Sequence, residues 1–200
     1  MKDIRYKKGI RIRDKMDWKN YKQDIKKALD MFEFDEKILG VLKNSVKNNQ
    51  KIFTAGNGGS AALAMHYACD FSKGANKNWE KNFSRYKAVS LTGNTSYITA
   101  IANDSGYDEV FRQQLVNFAS KNDILILISS SGNSSNIVKA AEYAKKIGMI
   151  VIGITGFNGG KLKKICHYSA HVNFNSYEVS EDVHQIFGHF LSCYLRENSR

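Results

Sequence analysis

The spacing of apolar residues changes several times along the 200-residue chain. Between Trp18 and about Val46, the residues Leu29, Phe32, Phe34, Ile38, Leu39, Val41 and Leu42 recur at mixed three- and four-residue steps. That pattern predicts one or two amphipathic helices broken near 33–35. A β-like run at 51–55 then ends in a glycine-rich turn, and the alanine-rich stretch 60–71 predicts a helix. The alternation continues with a strand over 87–91 and two helical pieces over 95–119, separated near Ser105 and Gly106. Residues 123–128 (DILILI) form the nearly pure apolar run of a central parallel strand buried on both faces. A helix over 136–147 stops at Gly148, a suitable C-cap residue. A strand over 149–154, a short helix over 161–166, a strand over 169–174 and a closing helix over 180–197 complete the chain. Strand and helix thus alternate about five times, which predicts a doubly wound α/β sheet behind an N-terminal helical segment at 17–48.

Composition changes this picture little. No proline and no long Gly/Ser linker interrupts the pattern, so one domain over 1–200 is expected, with 1–16 as a basic N-terminal extension. A hydrophobic share of 42% suits a globular chain. No apolar run approaches the roughly 20 residues of a membrane span, and no signal-peptide core follows the charged N-terminus, so a cytoplasmic location is expected. The net charge of +11 would suit an acidic partner, but it is spread along the chain and dominated by lysine. Its one cluster, Arg5 to Arg13, lacks the arginine-and-aromatic texture of a nucleic-acid site. Neither nucleic acid nor membrane is expected as a partner. Cys69, Cys166 and Cys193 show no CxxC spacing; Cys69 and Cys193 fall in apolar helical patterns and are expected to be small buried thiols.

Candidate chemistry lies where strands end. Gly56-Asn57-Gly58-Gly59-Ser60-Ala61 lets the backbone approach a ligand and opens a helix whose N–H groups face an anion. The string also fits a loose dinucleotide-binding pattern. That reading wants an acid closing the next strand, and Leu91-Thr92-Gly93-Asn94 offers none. Ser129-Ser130-Ser131-Gly132-Asn133-Ser134 sets four hydroxyls and a glycine between a buried strand and a helix start. A cap and a turn would use one or two of these groups. All four suit the oxygens of a phosphate monoester. A third polar break, Ala102-Asn103-Asp104-Ser105-Gly106-Tyr107, reads by itself only as a turn.

Among titratable residues, His66 and Asp70 share a helix face at i, i+4. The last helix adds Glu181, His184 and His189, with Glu181 and His189 within a quarter turn of each other. Two such His/carboxylate pairs serve proton transfer or a metal site, and residue type alone leaves surface pairs equally open.

The blocks GNGGSAALAMHYACDF, LTGNTSYITAIANDSGYDEVF, ILISSSGNSSNIVKAAEYAKKIG, ITGFNGGKL and EDVHQIFGH, in this order, resemble the phosphoheptose isomerases of the sugar isomerase (SIS) domain superfamily over about 40–195. The resemblance implies a three-layer αβα sandwich with a five-stranded parallel sheet. It also implies a homotetramer with active sites built across subunits. The implied reaction converts D-sedoheptulose 7-phosphate to D-glycero-D-manno-heptose 7-phosphate for the activated heptose of lipopolysaccharide or capsule. Asn57, Gly58, Gly59 and Ser60 would line the sugar site, Ser129, Ser130, Ser131 and Ser134 would hold the phosphate, and Asn103 and Asp104 would touch substrate. His66, Asp70, Glu181 and His189 match four positions that bind zinc in some members, one ion per subunit, and His66, Asp70 and Glu181 would also face the sugar. The position of Asp70 is usually Glu, and that of Glu181 usually Gln. Val179-Ser180 stands where Arg-Ile is usual, and Glu178 matches an upstream acid. The expected mechanism is proton transfer between C1 and C2 through an enediol(ate), with Asp70 moving the carbon-bound proton and His189 acting as general acid. The alternatives are an isomerase of another ketose phosphate and a non-catalytic SIS module that binds a phosphosugar or a protein. Such modules typically lack the helix-borne carboxylate and histidine that remain here as Asp70 and His189.

Overall fold

A computed structural model describes residues 17–78, 80–81 and 85–198. The basic extension expected at 1–16 lies outside them. Helix α1 (Trp18–Asp30) starts at Asp17, whose carboxylate accepts from Asn20 N at 2.7 Å, and α2 spans Lys37–Ser45. The break expected near 33–35 is a strand, β1 (Phe32–Phe34), too short to register as an alternating pattern inside helical spacing. It pairs antiparallel with the last strand, Phe32 opposite Val172 and Phe34 opposite Ala170.

The remaining strands are β2 (Lys51–Gly56), β3 (Lys87–Ser90), β4 (Ile124–Ser129), β5 (Ile150–Thr155) and β6 (Tyr168–Val172). They pair in parallel, in the sheet order β1-β6-β5-β4-β2-β3. The sheet is therefore six-stranded and mixed, which corrects the expected five parallel strands. The parallel core is as expected; the added strand covers the β6 edge, which would otherwise present unpaired backbone groups.

Pleating divides DILILI between two cores. Ile124, Ile126 and Ile128 join Ile52, Ile152 and Ile154 beneath α2, α3 (Gly59–Cys69) and α8 (Tyr177–Asn198). Leu125 and Leu127 join Phe53, Ala55 and Val151 on the opposite face. That face is covered by α4 (Thr95–Asp104), α5 (Arg112–Phe118), α6 (Ser135–Lys146) and α7 (Gly160–Ile165). Helix α3 runs into a π-helical turn over Asp70–Gly74.

Cys69 and Cys193 are exposed, against expectation, and all three cysteines are free. Periodicity put them on apolar helices correctly, but they sit on outward faces beside the exposed Met65 of α3 and the exposed Ile186 and Phe190 of α8. No helix among the described residues is long and apolar enough to cross a membrane.

Candidate active site

After β2 the chain moves outward to β3 and then returns to place β4 on the other side of β2. The loops following β2 and β4 therefore flank the point where the winding reverses, the usual ligand crevice of such sheets. The glycine loop and the serine loop are those two segments. They are tied together by an amide pair: Asn57 Nδ2 donates to Asn136 Oδ1 at 2.9 Å, and Asn136 Nδ2 donates back to Asn57 Oδ1 at 2.8 Å. Tyr107 OH adds a bond to Asn57 Oδ1 at 3.1 Å. Asn136 is buried in the first turn of α6, and as a single Asn after a serine run it looks in sequence like one more capping residue.

The serine loop is built around Gly132, at φ +64°, where a side chain would run into the Gly159 carbonyl. Ser129 is buried, and its Oγ accepts from Gly132 N at 3.2 Å. Ser131 Oγ accepts from Asn133 N at 3.3 Å. Ser130 is buried too, and its Oγ has no partner among the described residues. Ser134 holds the N-cap position of α6 without a side-chain cap bond. Two hydroxyls are thus left over at the start of a 12-residue helix, whose first N–H groups and dipole favour an anion.

A second group of residues lies between α3 and α8. His66 Nε2 stands 3.4 Å from Asp70 Oδ2, and His189 Nε2 stands 3.2 Å from His66 Nε2 and 3.9 Å from the same Asp70 oxygen. The helices can approach because position 188 is glycine: a Cβ there would overlap the Tyr67 ring, whose hydroxyl donates to the His184 carbonyl. Donors sharing one four-coordinate ion at bonds of about 2.0–2.1 Å stand roughly 3.3 Å apart. The three donors, all within 4.8 Å of one another, fit a divalent metal and equally form a proton-transfer group.

Glu181 is not drawn into this cluster. It lies over the start of α3, where Ser60 Oγ donates to its Oε1 at 3.4 Å and where any side chain at Gly59 would strike its carboxylate. Burial raises its pKa, and the nearby charges of Glu178 and Asp182 push the same way against the Ser60 hydrogen bonds. Asn103 and Asp104 end α4, exposed and bonded to each other at 2.8 Å. Gln185, one turn before His189, places its Nε2 2.8 Å from His189 Nε2. Its residue type is so common on helix surfaces that sequence offers no signal for it.

The SIS domain model matches residues 21–156. The chain is 38% identical over 179 residues to the phosphoheptose isomerase of Aliarcobacter butzleri, covering 89% of this chain and 92% of that protein. The chain belongs to the phosphoheptose isomerase family of SIS-domain proteins. The phosphoheptose isomerase of Aneurinibacillus thermoaerophilus is 36% identical over 180 residues, covering 89% of this chain and 88% of the other. Among solved structures, the phosphoheptose isomerase of Neisseria gonorrhoeae superposes with a TM-score of 0.74 at 29% identity, over 89% of this chain and 92% of its own.

Proposed function

We propose that this chain, as a single SIS domain, is an enzyme that isomerises D-sedoheptulose 7-phosphate to D-glycero-D-manno-heptose 7-phosphate. The observation that carries the reading is the convergence of Asp70 with His66 and His189 between α3 and α8, in a chain of the phosphoheptose isomerase family.

The phosphate is seated on Ser129, Ser130, Ser131 and Ser134, with the unpartnered Ser130 hydroxyl and the first N–H groups of α6 as donors. Asn57, Gly58, Gly59 and Ser60 line the sugar, with Glu181, His66, Asn103 and Asp104 completing the contacts. Asp70 takes a proton from C1 of the open-chain ketose and returns it to C2. His189 gives a proton to O2 as the enediol forms, and recovers one from O1 as the aldehyde forms. Zinc, one per subunit, would be held by His66, Asp70 and His189, with Glu181 at the fourth position of the family pattern. When bound, it would supply Lewis-acid polarisation of the carbonyl.

Met65, Ile186 and Phe190 are exposed beside the two histidines, and this apolar surface supports a homotetramer whose subunits complete each other's sites. The reading places the enzyme in the cytoplasm, where its product would feed activated heptose for lipopolysaccharide or capsule.

The test is incubation with sedoheptulose 7-phosphate followed by NMR of the product. Asp70→Asn and His189→Ala are each expected to lower kcat by about 10²–10⁴-fold. Full activity in either variant overturns the assignment.

A further inference from the structure

We propose that Asn136 and Tyr107 are positioning residues for the Asn57 amide, which they turn so that it offers the sugar one N–H donor and no acceptor. This rests on the sugar-site reading of Asn57 given above and deepens it; neither Asn136 nor Tyr107 needs to touch substrate.

The polarity starts at a group that has no choice. The Ile137 N–H lies in the first turn of α6 and donates to Asn136 Oδ1 at 2.9 Å. A backbone N–H can only donate, so the oxygen of the buried Asn136 amide has to face it. With that oxygen fixed, Asn57 must bring its Nδ2 to Asn136 Oδ1 and its Oδ1 to Asn136 Nδ2, at 2.9 and 2.8 Å. Turning both amides over together would keep their pair. It would also set Asn136 Nδ2 against the Ile137 N–H, two buried donors face to face.

One hydrogen-bonding function of Asn57 is then left over. Its Oδ1 has two lone pairs, and Asn136 Nδ2 and the Tyr107 hydroxyl, at 3.1 Å, take both. Of the two Nδ2 hydrogens, one goes to Asn136 and the other has no acceptor among the described residues. That hydrogen suits a carbonyl or hydroxyl oxygen that accepts, and a group able only to donate finds no partner there.

Tyr107 is exposed, yet its turn is pinned. It opens a short turn at 107–109 in which Asp108 and Glu109 both pair with Lys139, Glu109 at 3.0 Å. Lys139 stands one turn along α6 from Asn136. Helix α6 therefore holds both groups that set the Asn57 amide.

The experiment measures KM and kcat for sedoheptulose 7-phosphate in Asn57→Ala, Asn136→Ala, Tyr107→Phe and the two double variants that contain Asn57→Ala. Asn57→Ala is expected to raise KM about tenfold, Asn136→Ala about fivefold and Tyr107→Phe about threefold, with kcat within about twofold of wild type. Each double should match Asn57→Ala alone, because a residue that acts through Asn57 then has nothing left to act on. Asn57→Asp keeps the shape of the side chain without its N–H and should bind no better than Asn57→Ala. Increases in KM that multiply in the doubles, or a wild-type KM in Asn136→Ala or Asn57→Asp, overturn the proposal and leave the isomerase reading standing. Should alanine at 136 prevent folding, Tyr107→Phe, which removes only an exposed hydroxyl, decides by the same rule. A wild-type chain that neither binds nor turns over the substrate overturns both readings.

Discussion

The crevice loops and the helix-borne cluster are built from different materials. The loops after β2 and β4 are held by main chain and small side chains: Gly132 against Gly159, Gly156 N donating to Ser130 O at 2.9 Å, and the Asn57–Asn136 amide pair. Their positions follow from the sheet, so each loop is set locally and then locked to its neighbour. The cluster instead hangs from the outward faces of α3 and α8, and its geometry is only as good as the separation of those helices. Tyr67, Gly188 and His184 set that separation from the buried side. A binding site of the first kind tolerates loss of single side chains; a catalytic group of the second kind fails when the packing behind it moves.

Acid should break the helix-borne region with the largest effect. His184 is fully buried, and burial pushes its pKa from 6.5 to about 4. A histidine with a depressed folded-state pKa contributes stability that is complete above pH 6.5 and is lost as pH falls through the folded value. That drop amounts to about 3 kcal/mol, and His171 and His167, lowered mainly by burial as well, add to the same limb. Chemical denaturation from pH 7 to pH 4 should show the decline in the wild type and a shallower one in His184→Leu. An identical decline would show that His184 is not the buried proton acceptor.

Gly188→Ala comes next. The new methyl group pushes Tyr67 and α3 away from α8, and a displacement of about 1 Å at the cluster should lower kcat/KM by about 100-fold. Substrate KM should change little, because the crevice loops do not lean on this contact. Loss of KM alone would erase the distinction between the two regions.

In the loop region, Asn136→Ala removes one half of the amide pair and leaves Asn57 short of a partner. Unfolding free energy should fall by about 1–3 kcal/mol, measured by urea titration. The smallest effect is expected for Ser130→Ala. Its hydroxyl has no bond among the described residues, so the melting temperature should hold while KM rises about tenfold. A melting temperature that falls with KM unchanged would make Ser130 a structural serine.

Legibility in the sequence follows the same division. The two loops are contiguous strings, so GNGGSA and SSSGNS could be read directly, and the buried strands before them showed where they would sit. The pair His66 and Asp70 is local as well. Its meeting with His189, 123 residues away, needs the α3–α8 contact, and no local pattern encodes it. Gln185 and Asn136 escaped because an amide on a helix has no periodic signature; only its partner gives it a role. β1 escaped because three residues carry too little alternation to stand out from the helices on either side. The two cysteines were misplaced because apolar spacing identifies an apolar helix face without saying whether a neighbour covers it.

The antiparallel pairing of β1 with β6 has a consequence for the order in which the protein can be made. Residues 32–34 leave the ribosome early but find their partner only once 170–172 have emerged, and α1 and α2 must wait for α8. His66 likewise has no companion until His189 is synthesised. The chain therefore completes its outer edge and its His–Asp–His cluster in one late event, and a nascent chain stalled before α8 holds the crevice loops without that cluster.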